Sequence, residues 1–462
     1  VIHYGICMVE IQNNQEIKKN NAIVIGGGIA GIYSAILLQE KGYIVSLIEQ
    51  RKFLGGRTYS VKKSLKPQYD NGQHLLMGCY RNLLQFFKKI GSLSEIHFQD
   101  SFSVKIIDKT GKTGIIRDTK FLPFGLMLLV SLLKYPYIGF REKLSAIFTL
   151  VKMKFINRKK PKYQSFPFSE WLEDNGQSKN VIEKFWDLVI LPTLNDHASN
   201  VSTDMGFMVF QESVLRGNRY VKLGFPKGTL DEVIAIPGSK FIENNGGNIY
   251  LGNSVIKLLY EDNKISTVEL RDGTRLSADI IISAIPSNSL YNILPDELQS
   301  HKSFSILPKI EHASIVNIHI WLNTKIMNDQ FINIIDSPLQ WIFNKSLQDN
   351  KYQALDISIS DSKNLLQKST AEIIDLVFSE LKDIFPGFNI NFVEKYKIIK
   401  ERKATFRCTP NSKKYRLTNI SPVDNLYIAG DWVDTGWPST MESAALSASN
   451  VVNEIESNNK NK

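Results

Sequence analysis

The stretch AIVIGGGIAGIYSAILLQEKGYIVSLIE, residues 22–49, leaves little freedom in how this chain begins to fold. Its continuous apolar start, AIVIG, reads as a short strand buried on both faces. Glycines then break the run, and IAGIYSAILLQEKG carries helical periodicity that stops at Gly42. YIVSLIE, 43–49, is the next strand. Strand, helix and strand in this order make a βαβ unit, so the chain opens as a Rossmann-like half.

Gly26, Gly28 and Gly31 give the pattern G-x-G-x-x-G between that strand and that helix. The first allows a tight turn, the second lets backbone approach a pyrophosphate, and the third allows close helix packing. The helix N-terminus offers unpaired N–H groups to the phosphates. Glu49 ends the second strand, eighteen residues past Gly31, where a carboxylate can accept ribose hydroxyls. Together these features predict a bound dinucleotide.

Two further motifs point to FAD. In LGGRTYS, 54–60, Gly55 and Gly56 let the chain pass close to the cofactor, and Arg57 offers a forked donor to phosphate. Near the far end, YIAGDW supplies a strand, the turn at Gly430 and Asp431, which can accept a ribityl hydroxyl. TMESA, 440–444, opens the last helix, with Met441 and Glu442 placed to face the flavin's polar edge. A cofactor held by both ends of the chain is the pattern of FAD; NAD domains need only the first fingerprint.

At 462 residues, with 43% hydrophobic and 22% charged, the chain is a folded protein of more than one core. Cys7, Cys79 and Cys408 lie far apart and predict neither a disulfide framework nor a metal site, and the seven histidines show no zinc spacing. The first residues lack the pattern of a signal peptide, and Met8 reads as a start. The net charge of +10 is uneven: residues 120–162 hold ten basic residues against Glu142 alone. The same segment contains FLPFGLMLLVSLL, 121–133, too short to span a bilayer. It predicts an interfacial helix on an anionic membrane surface. No nucleic-acid motif accompanies the charge, so nucleic acid is not the expected partner.

The expected fold class is α/β, or α+β overall: an FAD-binding domain interwoven with a mixed-sheet and helical substrate domain. Residues 1–19 form a flexible start; 20–115, 226–290 and 406–457 build the FAD-binding domain; 116–225 is helical and faces substrate and membrane; 291–405 supplies a second sheet and a helix; 458–462 is a frayed tail.

The combination of LGGRTYS, DNGQHLLMGCYRN, FWDLVILPTLND, FPKGTL, KATFRCTP and AGDWVDTGWPSTMESA resembles a bacterial family, the squalene-associated FAD-dependent hydroxysqualene dehydroxylases. These belong to the superfamily of FAD-dependent amine oxidases and carotenoid desaturases. The likeness covers residues 20–455. It implies that Val255, in NSVIKL, meets the adenine, and that Gly72 is where the chain comes closest to the flavin. Ser443 departs from the superfamily, where a glycine-containing EGA is usual.

The implied reaction converts hydroxysqualene and reduced FAD to squalene, water and FAD, supplying squalene for hopanoids. An allylic hydroxyl must be protonated to leave as water, and the cation left behind takes a hydride. His74 is the leading proton donor, with Asp70 to orient it and Asp434 as a competing acid. The resemblance further implies a cytoplasmic enzyme peripheral to the inner membrane, in contact with the synthases that make presqualene diphosphate and hydroxysqualene. Carotenoid-type desaturation is the nearest rival. Amine oxidation is disfavoured by the basic helical middle and by the lack of paired aromatics in the sequence pattern.

Overall fold

The computed structural model describes residues 20–61, 68–118, 124–345 and 353–460. Strand Asn21–Ile25, helix Ile29–Glu40 and strand Ile44–Glu49 form the βαβ unit. The two strands sit in a five-stranded parallel sheet, whose order runs Asn248–Leu251, 44–49, 21–25, Ile280–Ser283, Leu426–Ile428. Three distant parts of the chain therefore build one sheet. Alternation splits the strand 21–25 between two cores. Ala22 and Val24 join Ile32, Ile36 and Val452 on the helical face. Ile23 and Ile25 join Leu258 and Val268 of a small antiparallel sheet on the other.

The second large sheet has seven strands in the order Val393–Phe406, His312–Leu322, Gln353–Ile359, Trp341–Asn344, Phe331–Ile334, Ser103–Ile107, Thr113–Arg117. All pairs are antiparallel except that between 331–334 and 103–107. Val316, Ile318 and Ile320 bury one face against Ile373, Val377 and Leu381 of the amphipathic helix Thr370–Ile384. That helix starts on a reciprocal capping box between Ser369 and Glu372. With a side-chain period of two, Asn317, His319 and Trp321 take the opposite face. The hairpin Ser103–Arg117 belongs to this sheet, so the first FAD-binding segment stops before Ser103 and not at residue 115.

Between the sheets lies a mostly helical region. Among the described residues, no helix is long and apolar enough to cross a membrane. The apolar run 121–133 becomes helix Phe124–Lys134, with residues 119–123 outside the described part. Its Leu132 is buried, whereas the next helix, Phe140–Lys154, exposes an apolar stripe. Within the segment 120–162 the second helix carries most of the exposed apolar side chains among the described residues, with Leu133 of the first also exposed. At the C-terminus, helix Met441–Lys460 runs into the stretch read as a frayed tail, as far as Lys460. Residues 1–19 and 461–462 lie outside the described part. Cys79 and Cys408 are buried free thiols, each pushed up to about 12 by burial.

Candidate active site

The glycine cradle is made of backbone. Gly26 has φ +107°, and a Cβ there would lie 2.8 Å from the Ala284 carbonyl oxygen. A Cβ on Gly31 would run into the Gly26 carbonyl, which is why the helix can sit this close to the strand. At Gly28 the nearest atom to such a Cβ is Gly56 Cα, 3.8 Å away, so this glycine borders open space. Gly28 is the N-cap of helix 29–40 and has no side chain to cap it, leaving the first N–H groups for a ligand. Glu49 is buried at the strand end, its oxygens accepting from Gly27 N (2.7 Å) and Arg51 N (2.8 Å). Asn253 N donates to Glu49 O at 3.2 Å, which brings Val255, the start of strand Val255–Glu261, alongside this end of the cradle. Ser254 Oγ between them is buried without a partner among the described residues.

The second glycine loop lies directly on the first. Gly55 N donates to Gly27 O at 2.8 Å, with Gly55 at φ +115° and Gly56 at +59°. Arg57, predicted to fork onto phosphate, instead donates to Ala404 O at 2.6 Å and pairs with the Asp431 carboxylate. Asp431, predicted to take a ribityl hydroxyl, is closed by Arg57 and the Ser439 hydroxyl. Burial pushes its pKa up, but Arg57 and these hydrogen bonds outweigh it and hold the carboxyl below its ordinary value. The loop 430–438 is propped from beneath by Arg416, whose buried guanidinium donates to the carbonyls of Trp432 (3.0 Å), Val433 (2.5 Å) and Trp437 (3.0 Å). Gly430 turns at φ +137°, its N–H held by Ser447 Oγ at 2.8 Å. Ser443 Oγ donates to Asp431 O at 3.1 Å, a tie that glycine lacks.

Met441 opens the last helix as predicted from TMESA, and Glu442 is buried against a neighbouring helix. Its carboxylate accepts from Asn82 N (3.1 Å), Asn82 Nδ2 (2.9 Å) and Leu83 N (2.9 Å), capping helix Arg81–Lys89. A buried carboxylate at a helix N-terminus is the electrostatically favoured arrangement.

The segment DNGQH, 70–74, spans from this loop cluster to the seven-stranded sheet. Asn71 Nδ2 donates to Arg57 O at 2.6 Å, while Asn317 Nδ2 donates to Asn71 O at 3.2 Å. Gly72 faces the Asn317 amide so closely that no Cβ fits. Its glycine is therefore explained by the sheet. Asp70 does not orient His74: its Oδ1 accepts from Ser60 Oγ (2.8 Å) and Leu230 N (2.9 Å). His74 Nδ1 lies 3.0 Å from Gly72 O, and burial lowers its pKa below the ordinary histidine value. A histidine kept neutral is a poor proton donor near pH 7. Asp434 lies 3.5 Å from Lys413 Nζ and 4.0 Å from Arg416 Nη1, and serves those cations.

Sequence reading missed what DNGQH rests on. On the sheet face beneath it, Asn317, His319 and Trp321 align across strands with Ser358, Asp356 and Ala354, and these with Trp341, Phe343 and Lys345. Aromatic rings pave this face: Tyr69 lies 4.9 Å from His319 and 5.5 Å from Trp321, and Phe331 lies 5.5–6.1 Å from Phe225, Trp341 and Phe343. Aromatic pairs, which the sequence pattern does not predict, are thus present on this face. Five buried polar atoms of the same region have no partner among the described residues: Asn71 Oδ1, Gln73 Oε1, His319 Nε2, Asn333 Oδ1 and Trp341 Nε1. Each such atom costs about 1–3 kcal/mol unless something else satisfies it. The only hint in the sequence was VNIHIWL, where two polar residues alternate inside an apolar strand.

A cradle bordered by Gly28, a carboxylate at the strand end, a Ser254 hydroxyl beside Val255 and buried polar atoms above the sheet, the last two without partners among the described residues, fit a dinucleotide. Known proteins agree. Residues 29–456 match the family described as flavin containing amine oxidoreductase. The 15-cis-phytoene desaturase of Capsicum annuum is 24% identical over 447 residues, covering 93% of this chain and 76% of its own length. That of Synechococcus elongatus is 23% identical, covering 92% and 93%. Among solved structures, an oxidoreductase from Methanosarcina mazei superposes with a TM-score of 0.74 at 17% identity, covering 94% of this chain and all of its own. Cyclohexylamine oxidase from Brevibacterium oxydans gives 0.72 at 16%, covering 95% and 100%. The α/β architecture, the cradle and a match over nearly the whole chain place this protein in the flavin containing amine oxidoreductase family, as an FAD-dependent oxidoreductase of the amine oxidase and carotenoid desaturase type.

Proposed function

We propose that this oxidoreductase acts on a long acyclic isoprenoid drawn from a membrane, and that its reaction is the reductive dehydroxylation of hydroxysqualene to squalene. The observation that carries the substrate class is the sheet face under DNGQH, paved by Phe331, Trp341 and Phe343 and dotted with a few polar atoms that have no partner among the described residues. Such a surface suits a hydrocarbon with one polar end, and ring faces stabilise a passing carbocation. Relatives named for phytoene and zeta-carotene support a polyisoprene. The motifs DNGQH and GDWVDTGWPSTMES support dehydroxylation. Bound reduced FAD supplies a hydride and a proton, so the balance is R–OH + FADH2 → R–H + H2O + FAD. Gly26, Gly28, Glu49, Gly55 and Val255 hold the nucleotide half, and the 430–441 loop and helix start hold the flavin half. The paved sheet face keeps water from the reacting carbon.

A second reading, desaturation, is favoured by the same desaturase relatives. Anaerobic incubation separates the two: photoreduced holoenzyme with hydroxysqualene, and oxidised holoenzyme with phytoene. Squalene from the first and unchanged phytoene from the second are expected. Dehydrogenated phytoene with untouched hydroxysqualene replaces the first reading by the second.

Helix Phe140–Lys154 suits delivery of such a substrate. Phe140, Leu144, Phe148, Val151 and Phe155, spaced by three or four residues, form one stripe in which each is 48–80% exposed. Exposed Lys152, Lys154, Lys159, Lys160 and Lys162 surround or follow it, whereas Arg158 is spent on Glu212 at 3.0 Å. The occupant of this face is an anionic bilayer. Holoenzyme is expected to co-sediment with phosphatidylglycerol vesicles, and Phe148→Ser with Phe155→Ser to abolish this without loss of flavin. Binding indifferent to those changes and to salt overturns it.

A further inference from the structure

We infer that His319, held by Asp356, is the proton-transferring residue of this site, the place that sequence reading assigned to His74. The inference rests on the functional reading above. His319 stands in the middle of the long strand 312–322, only 1% exposed, between the buried apolar Ile318 and Ile320. Its Nδ1 meets Asp356 Oδ1 at 2.6 Å across the 319–356 register pair, while Nε2 is buried with no partner among the described residues. A carboxylate on Nδ1 keeps the proton there in the neutral ring and stabilises the imidazolium, and it leaves Nε2 as the working nitrogen.

The position is right for the reacting end of a substrate. Two residues earlier on the same face, Asn317 holds the Asn71 carbonyl and leaves Gly72 no room for a side chain, so His319 lies beside the segment that ties FAD's loops to the sheet. Tyr69 and Trp321 wall the imidazole at ring distances of 4.9 and 6.2 Å. The other charged groups near it are Lys397, opposite on strand 393–406, Lys395 over the Trp321 ring, and Lys345 at the end of the next row. Asp356 is the acidic partner within hydrogen-bond reach. In the step, the Nε2 proton passes to the allylic hydroxyl oxygen, the C–O bond breaks and water leaves. The allylic carbon, now cationic, accepts the hydride of the balance above. The imidazole takes back that balance's remaining proton. His319 is thus catalytic, and Asp356 positions it.

The test uses photoreduced holoenzyme under anaerobic conditions, with squalene measured in a single turnover of hydroxysqualene. His319→Gln is expected to keep its flavin and to lose about 10²–10⁴-fold in rate. Asp356→Asn keeps its flavin and part of the rate, and its loss falls on the single-turnover rate constant and not on the hydroxysqualene concentration that gives half-maximal rate. In wild-type holoenzyme labelled with [15N]histidine, the Nε2 resonance that Asp356→Asn perturbs most shifts when hydroxysqualene is added; this measurement decides if His319→Gln does not fold. An active wild type whose rate is unchanged by His319→Gln, or whose Nε2 resonance ignores substrate, overturns this inference and leaves the functional reading standing. A wild type that makes no squalene overturns the functional reading, and this inference with it.

Discussion

The glycine cradle and the aromatic sheet face meet at residues 70–74, yet they are built by opposite means. In the cradle the backbone does the binding, and side chains matter mainly by being absent: Gly26, Gly28 and Gly31 leave room for a turn, a ligand and a helix. On the sheet face the side chains do the work, and the backbone only sets which of them meet. Asn317, His319 and Asp356 come from strands separated by up to 39 positions in sequence and are brought together by register alone. A cradle made by local geometry fails when a methyl group is added. A face made by register fails when a partner is removed or displaced.

The largest effect expected from this contrast is at Gly31. Gly31→Val places a branched side chain against the Gly26 carbonyl. Overpacking of this kind costs about 1–3 kcal/mol or more, which lowers FAD retention by about ten- to a hundredfold. The ratio of flavin to protein absorbance measures it. If Gly31→Val purifies with full flavin, the backbone account of the cradle is wrong.

Next is the pair that closes the cradle. The Asp431 carboxyl lies below its ordinary value when folded, so its contribution is present above the unfolded pKa of about 3.9 and is lost as pH falls through the folded value. Flavin release on acidification below about pH 4 is expected in wild type. Asp431→Asn is expected to release flavin more readily at neutral pH and to flatten that acid dependence. An unaltered acid profile in the variant removes Asp431 from the explanation.

The sheet face is probed by a double-mutant cycle. Gly72→Ala must push the Asn317 amide aside, an expected loss of about 1–3 kcal/mol in thermal or urea unfolding. Adding Asn317→Ala makes room for the new methyl group, so the two changes should couple by about 0.5 kcal/mol or more. Strict additivity means that Gly72 is dictated by something other than Asn317. The smallest effect is at Glu442. Glu442→Gln weakens the cap of helix 81–89 by about 1 kcal/mol and leaves flavin content unchanged. Loss of flavin without loss of stability would return Glu442 to the cofactor.

Much of the cradle was legible in the sequence because each of its requirements is local. A buried strand, three glycines at fixed offsets, a helix and a carboxylate lie within twenty-eight consecutive residues, and steric rules tie each residue type to its backbone conformation. The five-stranded sheet was legible for the same reason at 280–283 and 426–428, where continuous apolar runs mark doubly covered strands. The polar side chains at the cradle's rim were not. Arg57, Asp431 and Glu442 have the chemistry for phosphate, hydroxyl and flavin, yet they bond to Asp431, Ser439 and a neighbouring helix. A charged group takes the nearest complement that folding brings, and for Arg57 and Glu442 that neighbour lies far away in sequence.

The apolar segment teaches the same lesson. Composition placed an exposed greasy surface near residues 120–162, but tertiary packing buried Leu132 and left Phe148 and Phe155 outside. Hydrophobicity alone does not say which apolar residues of two adjacent helices are covered: Leu132 is buried and the next residue, Leu133, is exposed. By itself, then, the sequence determined the βαβ entry, the FAD cradle and the α/β class, since these follow from short-range sterics and from periodicity. Tertiary structure decided where DNGQH rests, why position 72 is glycine, and that His319 meets Asp356. Strand pairing and sheet facing depend on contacts across the whole chain, and no short window of residues contains them.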